Sequence, residues 1–344
     1  MSGSLGNLPK AVLHDHLDGS LRVSTILELA DEHGYGGLPA TGAEALENWF
    51  DQGRSGSLES YLESFTHTIM VMQTEAAIER VAYESVVDLA ADGVIYAEIR
   101  FAPSLNTVGG LSRHQAISAA LTGLKRGENA TGISTGLIVD AMRNDTDADE
   151  VVAVAIDFAD EGVVGFDLAG PEDGFPPDLH RDACLRAVRH LRGVTIHAGE
   201  ADGPDSIRRA LDLCGAQRIG HGIHIVEDCR VVDGEIVDVG PLAGRILENQ
   251  VPLEICVTSN LHTHGWLPEQ HPIGMLYRAG FAVTLNTDNR LMSATSMSEE
   301  FALVADHHGF TQADLRNVTE NTLRAAFVSS DEVQRLLDRV NYTP

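Results

Sequence analysis

Eight short apolar runs recur along the chain, at residues 11–17, 94–102, 133–140, 163–168, 194–198, 218–221, 252–258 and 281–286. Most are near-continuous rather than strictly alternating, the pattern of parallel strands covered on both faces. Between them the period changes. Residues 75–91, 113–127 and 204–214 repeat apolar side chains every three to four positions, which predicts amphipathic helices. Eight strands alternating with helices predict an α/β fold, a closed (β/α)8 TIM barrel. No Pro/Gly/Ser-rich linker divides the chain, so residues 1–344 read as one barrel domain.

The spacing is uneven. Far more chain separates the first two runs than one crossover helix needs. The excess, residues 36–73, carries Trp49, Phe50, Leu58, Tyr61, Leu62 and Phe65. It reads as additional helices covering the C-terminal mouth of the barrel, either as decoration or as an apolar lid, because long βα insertions sit at that end. A second insertion, residues 231–240, alternates Val and Ile with Asp and Glu around Asp233-Gly234. It predicts a small surface hairpin without chemistry.

Charge narrows the range of partners. There are 24 basic and 51 acidic residues, a net charge of −27, which repels phosphate backbones and anionic lipid. Nucleic acid and membrane surfaces are therefore not expected partners. The four cysteines (Cys184, Cys214, Cys229 and Cys256) show no CxxC pairing. They are expected to be reduced and mostly buried, as in a cytoplasmic protein. The N-terminus has no basic segment leading into an apolar stretch, so no signal peptide is expected. No apolar run approaches the ~20 residues that cross a bilayer. Nothing in the sequence fixes an oligomeric state.

The strand ends carry the chemistry. The first run ends in His14-Asp15-His16-Leu17-Asp18-Gly19. Residues two apart on a strand face the same side, so His14 and His16 aim together. The fifth run ends in His197-Ala198-Gly199-Glu200, the sixth in Gly220-His221-Gly222 and the eighth in Asn286-Thr287-Asp288-Asn289. Barrel catalytic residues come from the C-terminal ends of several strands, and unpaired polar groups there would cost free energy. The alignment predicts a metal site. Three imidazoles and a carboxylate suit one zinc ion per chain, although cobalt, iron or manganese accept the same donors. Four protein ligands also describe a closed structural site. The neighbouring Glu200 and His221 are what a structural site would not need.

These segments, with LPKAVLHDHLDGSL at 8–21, DLAGPE at 167–172, HAGE at 197–200, RIGHG at 218–222, CVTSN at 256–260 and NTDN at 286–289, resemble the adenosine deaminase family in order and over most of the chain. The resemblance implies zinc ligation by His14, His16, His197 and Asp288. It implies that Glu200 protonates purine N1, and that His221 orients and deprotonates the metal-bound water. Asp18 would contact the ribose 5′-hydroxyl and the Gly170 N–H would meet purine N3. Leu58, Tyr61 and Phe65 would cover the nucleoside. The implied activity is hydrolytic deamination of adenosine, and of 2′-deoxyadenosine, to inosine and ammonia in purine salvage. The alternative is another 6-aminopurine: adenine, an N6-substituted compound or an aminofutalosine-like nucleoside. One departure is Asn289, where the family usually has an aspartate facing purine N7; an amide donates a hydrogen bond without needing a proton. The histidines after CVTSN (His262, His264 and His271) also depart from the family pattern, and are read as solvent-facing loop residues.

Overall fold

The computed structural model describes residues 8–51, 53 and 55–342. Six parallel strands follow one another with helices between them: β1 (Lys10–His16), β2 (Val94–Phe101), β3 (Ser134–Met142), β4 (Val163–Ala169), β5 (Gly193–Ala198) and β6 (Arg218–His221). The chain then forms a separate antiparallel hairpin, β7 (Cys229–Val232) and β8 (Glu235–Val239). It returns to the main sheet as β9 (Leu253–Ile255) and β10 (Val283–Leu285), giving the order β1-β2-β3-β4-β5-β6-β9-β10. An isolated parallel bridge between Asp15 and Asp288 closes the ring. There the His16 N–H donates to Asp288 O at 2.7 Å, and the Asp288 N–H donates to His14 O at 2.9 Å. The protein is a (β/α)8 barrel, as the strand pattern predicts.

Every residue of β2, β4 and β5 is buried, which is why these strands read as continuous apolar runs. The exceptions are charged and lie in register. Tyr96, Glu98 and Arg100 alternate on β2 and so share one face. Arg100 donates to Asp167 (2.8 Å) and Glu254 (2.9 Å), and Arg218 donates to Glu254 and Glu98 (both 2.6 Å). These five charged side chains are at most 1% exposed, so each depends on the others for its compensation.

Two boundaries differ from the periodicity. The helix predicted over 113–127 runs on as Arg113–Thr131. Gly127 does not cap it: a Cβ there would fall 2.4 Å from the Val86 side chain, so the glycine permits close packing against helix Glu75–Ala91. The cap is Gly132, at φ 79°. The run at 252–258 yields only a three-residue strand, because helix Val257–His264 starts immediately after it, with the Asn260 N–H bonded to Cys256 O at 3.0 Å. His262 and His264 are thus half-buried helical residues, and His271 is 2% exposed. The reading of these three as solvent-facing loop histidines is incorrect, because the apolar–polar pattern gave no hint of a helix packed across the strand ends.

The insertion after β1 forms helices Ala43–Phe50, Leu58–Glu63 and Phe65–Val71. Leu58, Tyr61 and Phe65 are buried against the barrel mouth rather than presented to solvent. The Tyr61 hydroxyl lies 2.7 Å from Ser293 Oγ, in the segment after β10, and so ties the lid to the catalytic face. The hairpin turns through Asp233 and Gly234, both at positive φ, and leaves Val231, Val232 and Val237 exposed.

Candidate active site

A cavity of about 420 Å³ opens at the C-terminal ends of the strands, roofed by the two short helices that carry Leu58, Tyr61 and Phe65. Eleven of the twelve site residues singled out in the sequence border it; the twelfth, His14, lies beneath and is fully buried. Two of them, His221 (φ 60°) and Asp288 (φ 58°), adopt left-handed backbone conformations where their strands end. Such conformations cost on the order of 1–3 kcal/mol each and persist where surrounding contacts enforce them.

His14, His16, His197 and Asp288 each offer one ligand atom, and these atoms lie within 4.8 Å of one another. His16 Nε2 is 3.3 Å from His197 Nε2; Asp288 Oδ1 is 3.3 Å from His14 Nε2 and 3.5 Å from His16 Nε2. Four atoms at the corners of a tetrahedron with 2.0–2.1 Å metal bonds are about 3.3 Å apart. His14 Nε2 is buried with no hydrogen-bond partner, the state of a nitrogen reserved for an ion. The residues fit a metal.

Each ring is oriented from behind by a buried carboxylate. Glu254 lies 3.1 Å from His14 Nδ1, Asp167 lies 2.8 Å from His197 Nδ1 and Asp140 lies 3.5 Å from His16 Nδ1. Carboxylates in this position fix the tautomer and raise ligand basicity. Burial opposes ionisation of Asp288, but the surrounding His14, His221 and His16 imidazoles outweigh it and hold the carboxyl well below its usual range. Asp288 Oδ2 also accepts from Ser259 Oγ at 2.5 Å.

Glu200 behaves in the opposite way. Burial, the Asp288 carboxylate and then Glu172 push its carboxyl well above the usual range, which favours the protonated form. Its position is set by Glu172, whose carboxylate accepts the backbone N–H groups of Gly199 (2.7 Å), Glu200 (2.9 Å), Ala201 (2.7 Å) and Asp202 (3.1 Å). Gly199 turns there at φ 71°. Glu200 Oε2 lies 3.6 Å from His221 Nε2.

The His221 proton can be placed from a backbone donor. The Ile273 N–H donates to His271 Nδ1 at 3.1 Å, which puts the His271 proton on Nε2. That group donates to Asn260 Oδ1 (3.3 Å), and the Asn260 amide donates to His221 Nδ1 (3.0 Å). Burial and the neighbouring His14 and His197 hold His221 well below its usual pKa. The neutral ring therefore carries its proton on Nε2, facing Glu200. Sequence reasoning missed Asn260 and His271, as it missed Glu172, Glu254, Asp167 and Asp140. The available signal was polar residues inside apolar strands, as in Leu253-Glu254-Ile255.

The remaining expected contacts gather around the same cavity. Asp18 is 7% exposed, Oδ1 lacks a hydrogen-bond partner, and burial raises its carboxyl to about 7. Gly170 has φ 93°, and a Cβ there would fall 2.8 Å from Met142 Cε, so only glycine leaves its backbone open to the cavity. Asn289 packs so tightly on Gly19 that a Cβ on that glycine would lie 2.0 Å from Asn289 Oδ1.

A family model described as adenosine deaminase matches residues 9–343. The chain belongs to the adenosine deaminase family. It is 48% identical to an adenosine deaminase of Mycobacterium ulcerans (strain Agy99), over 96% of this chain and 94% of that one. It is 46% identical to adenosine deaminase 1 of Streptomyces coelicolor, over 96% of this chain and 86% of that one. Solved structures share the fold: an adenine deaminase from Arthrobacter aurescens superposes with TM-score 0.88 at 27% identity, covering 97% of this chain and 98% of that one. An Arabidopsis N6-mAMP deaminase superposes with TM-score 0.83 at 28% identity, covering 98% of each chain. Structures that share this fold thus include an adenine deaminase and an N6-mAMP deaminase.

Proposed function

We propose that the protein hydrolyses adenosine, and 2′-deoxyadenosine, to inosine and ammonia, as one catalytic domain holding one zinc ion on His14, His16, His197 and Asp288. The observation that carries the reading is a buried Glu200, its carboxyl 3.6 Å from His221, bordering the same apolar cavity as a four-donor metal cluster. When bound, the ion supplies activation of water, lowering its pKa from 15.7 towards about 7.

The protein's own residues do the rest. Glu200 gives its proton to purine N1, which draws electron density from C6 as the water oxygen adds there. The Glu200 carboxylate left behind takes one proton of the added water and passes it to the C6 amino group. The C6–N bond then breaks with loss of ammonia, and the second water proton restores Glu200 as the C6 carbonyl forms. His221 donates through Nε2–H and orients the attacking oxygen. In this tautomer it is a donor, so orientation, rather than acceptance of a proton, is its role. Asn289 donates its amide to N7, Gly170 presents its N–H to N3, and Asp18 accepts from a ribose hydroxyl. Leu58, Tyr61 and Phe65 exclude bulk water above the ring.

A nucleoside is preferred over a nucleotide because no Lys or Arg lies among the described residues lining the cavity, so none of those neutralises a phosphate. It is preferred over a free base because Asp18 would otherwise be left buried without a partner. The free thiols of the four cysteines support a cytoplasmic location. No helix among the described residues is long and apolar enough to cross a membrane. The test is ammonia release from adenosine, 2′-deoxyadenosine, adenine and AMP at equal concentration. The two nucleosides should exceed the others in kcat/KM; preference for adenine or AMP would replace this assignment.

A further inference from the structure

Close to the catalytic cavity, but not lining it, two histidines face each other. His224 lies in the 3-10 segment Ile223–Asp228 after β6, and His264 ends helix Val257–His264. Their Nε2 atoms are 3.2 Å apart. On each ring the other nitrogen is already committed: His224 Nδ1 lies 2.7 Å from Glu227 Oε1, and His264 Nδ1 lies 3.0 Å from the carbonyl oxygen of Asn260 and 3.0 Å from Thr263 Oγ1, whose own hydrogen goes to the Ser259 carbonyl at 3.2 Å. A carboxylate and a carbonyl only accept, so both Nδ1 atoms carry hydrogens. A ring whose one hydrogen is on Nδ1 presents an Nε2 lone pair to the gap. Two lone pairs at this distance repel unless a cation lies between them.

This is how protein ligands to a metal are held: the distal ring N–H is donated to a carboxylate or carbonyl, and the other nitrogen is left free. The 3.2 Å separation is close to the 3.3 Å between His16 Nε2 and His197 Nε2 in the primary cluster. Trp266 lies against the His264 ring at 4.2 Å between centroids and fixes its plane. Neither histidine is in a group of three or more His, Cys, Asp or Glu ligands among the described residues. The side chains therefore supply two nitrogens, and water would complete the shell. Imidazole pairs suit zinc, nickel and copper rather than magnesium or calcium.

We propose that His224 and His264 form a second divalent transition-metal site, weaker than the primary cluster, in which the ion clips the turn after β6 to helix Val257–His264. The test starts from protein carrying one equivalent of zinc and titrates further Zn2+ by calorimetry. A second equivalent should bind, should raise the Tm because the ion binds the folded chain, and should be lost in both His224→Ala and His264→Ala. His262→Ala, altered on the same helix outside the pair, should keep it. Cu2+ added to the same zinc-loaded, unsubstituted protein should give an EPR spectrum with hyperfine coupling to two imidazole nitrogens, a readout that needs no variant. Anomalous scattering from a soaked crystal should place the ion between the two Nε2 atoms. Absence of a second equivalent, its survival in both alanine variants, or a copper spectrum without nitrogen coupling would overturn the proposal and leave a shared proton as the occupant of the gap.

Discussion

Asp288 and Glu200 are both buried carboxyls in one cavity, yet they are held in opposite protonation states. Asp288 faces imidazoles, which favour its anion over the burial that opposes it. Glu200 faces other carboxylates and has burial against it, so its acid form is favoured. A proton donor poised in this way fails once the pH rises through its raised pKa. Turnover should therefore fall on the alkaline side, and Glu200→Gln should remove about 10²–10⁴-fold of kcat together with that alkaline limb. Metal content should stay at one ion per chain; near-normal turnover in the variant would take Glu200 out of the chemistry. Asn289 makes a second case. Its amide donates at any pH, whereas an aspartate there donates only when protonated. Asn289→Asp should introduce a rise in KM for adenosine with increasing pH that the parent enzyme lacks, measurable from initial rates across the neutral range. An unchanged KM profile would show that this side chain does not meet N7.

At the scale of elements, helix Val257–His264 does more than connect β9 to the rest of the barrel. Its first turn brings Ser259 to Asp288 and Asn260 to His221, and His271 beyond it fixes the Asn260 amide. Asn260→Asp replaces the donor at His221 Nδ1 with an acceptor and should move the ring proton from Nε2 to Nδ1. The expected result is a lower kcat with little change in KM and a tautomer shift in the 15N spectrum of the His221 ring; an unmoved tautomer would contradict the assigned polarity. This helix is also where sequence reading stopped short. The β-branched run ending at Thr258 reads as strand, and nothing local marks the switch at Cys256, because the helix is placed by packing across the strand ends. His14, His16, His197, His221 and Asp288 were legible because each interrupts or ends an apolar strand. Glu172 was not: it lies in a loop, and its role as acceptor for four consecutive N–H groups exists only once the chain folds. The lid was legible as an excess of chain with aromatic residues, though not which of them would turn inward.

For the whole molecule, the barrel interior joins stability to the site. Arg100 holds Asp167 and Glu254, the same carboxylates that stand behind His197 and His14. Removing that cation leaves Asp167 without its arginine and Glu254 with Arg218 alone, and losing one partner of a buried ion pair costs about 3–5 kcal/mol. Arg100→Met should lower stability by that amount in urea unfolding and weaken metal retention together; a loss below about 1 kcal/mol would mean the network contributes no more than a surface pair. The ring itself is closed by hydrogen bonds between Asp288 and the strand bearing His14 and His16, so the closure of the barrel and the assembly of the metal cluster are one event.

The most direct test of the account is the rate of inosine formation from adenosine as zinc is returned to chelated protein. Activity should be abolished by chelation, rise in proportion to added zinc and reach its plateau at one equivalent per chain. Full turnover by the metal-free protein, or a rate that does not follow zinc up to one equivalent, would contradict it.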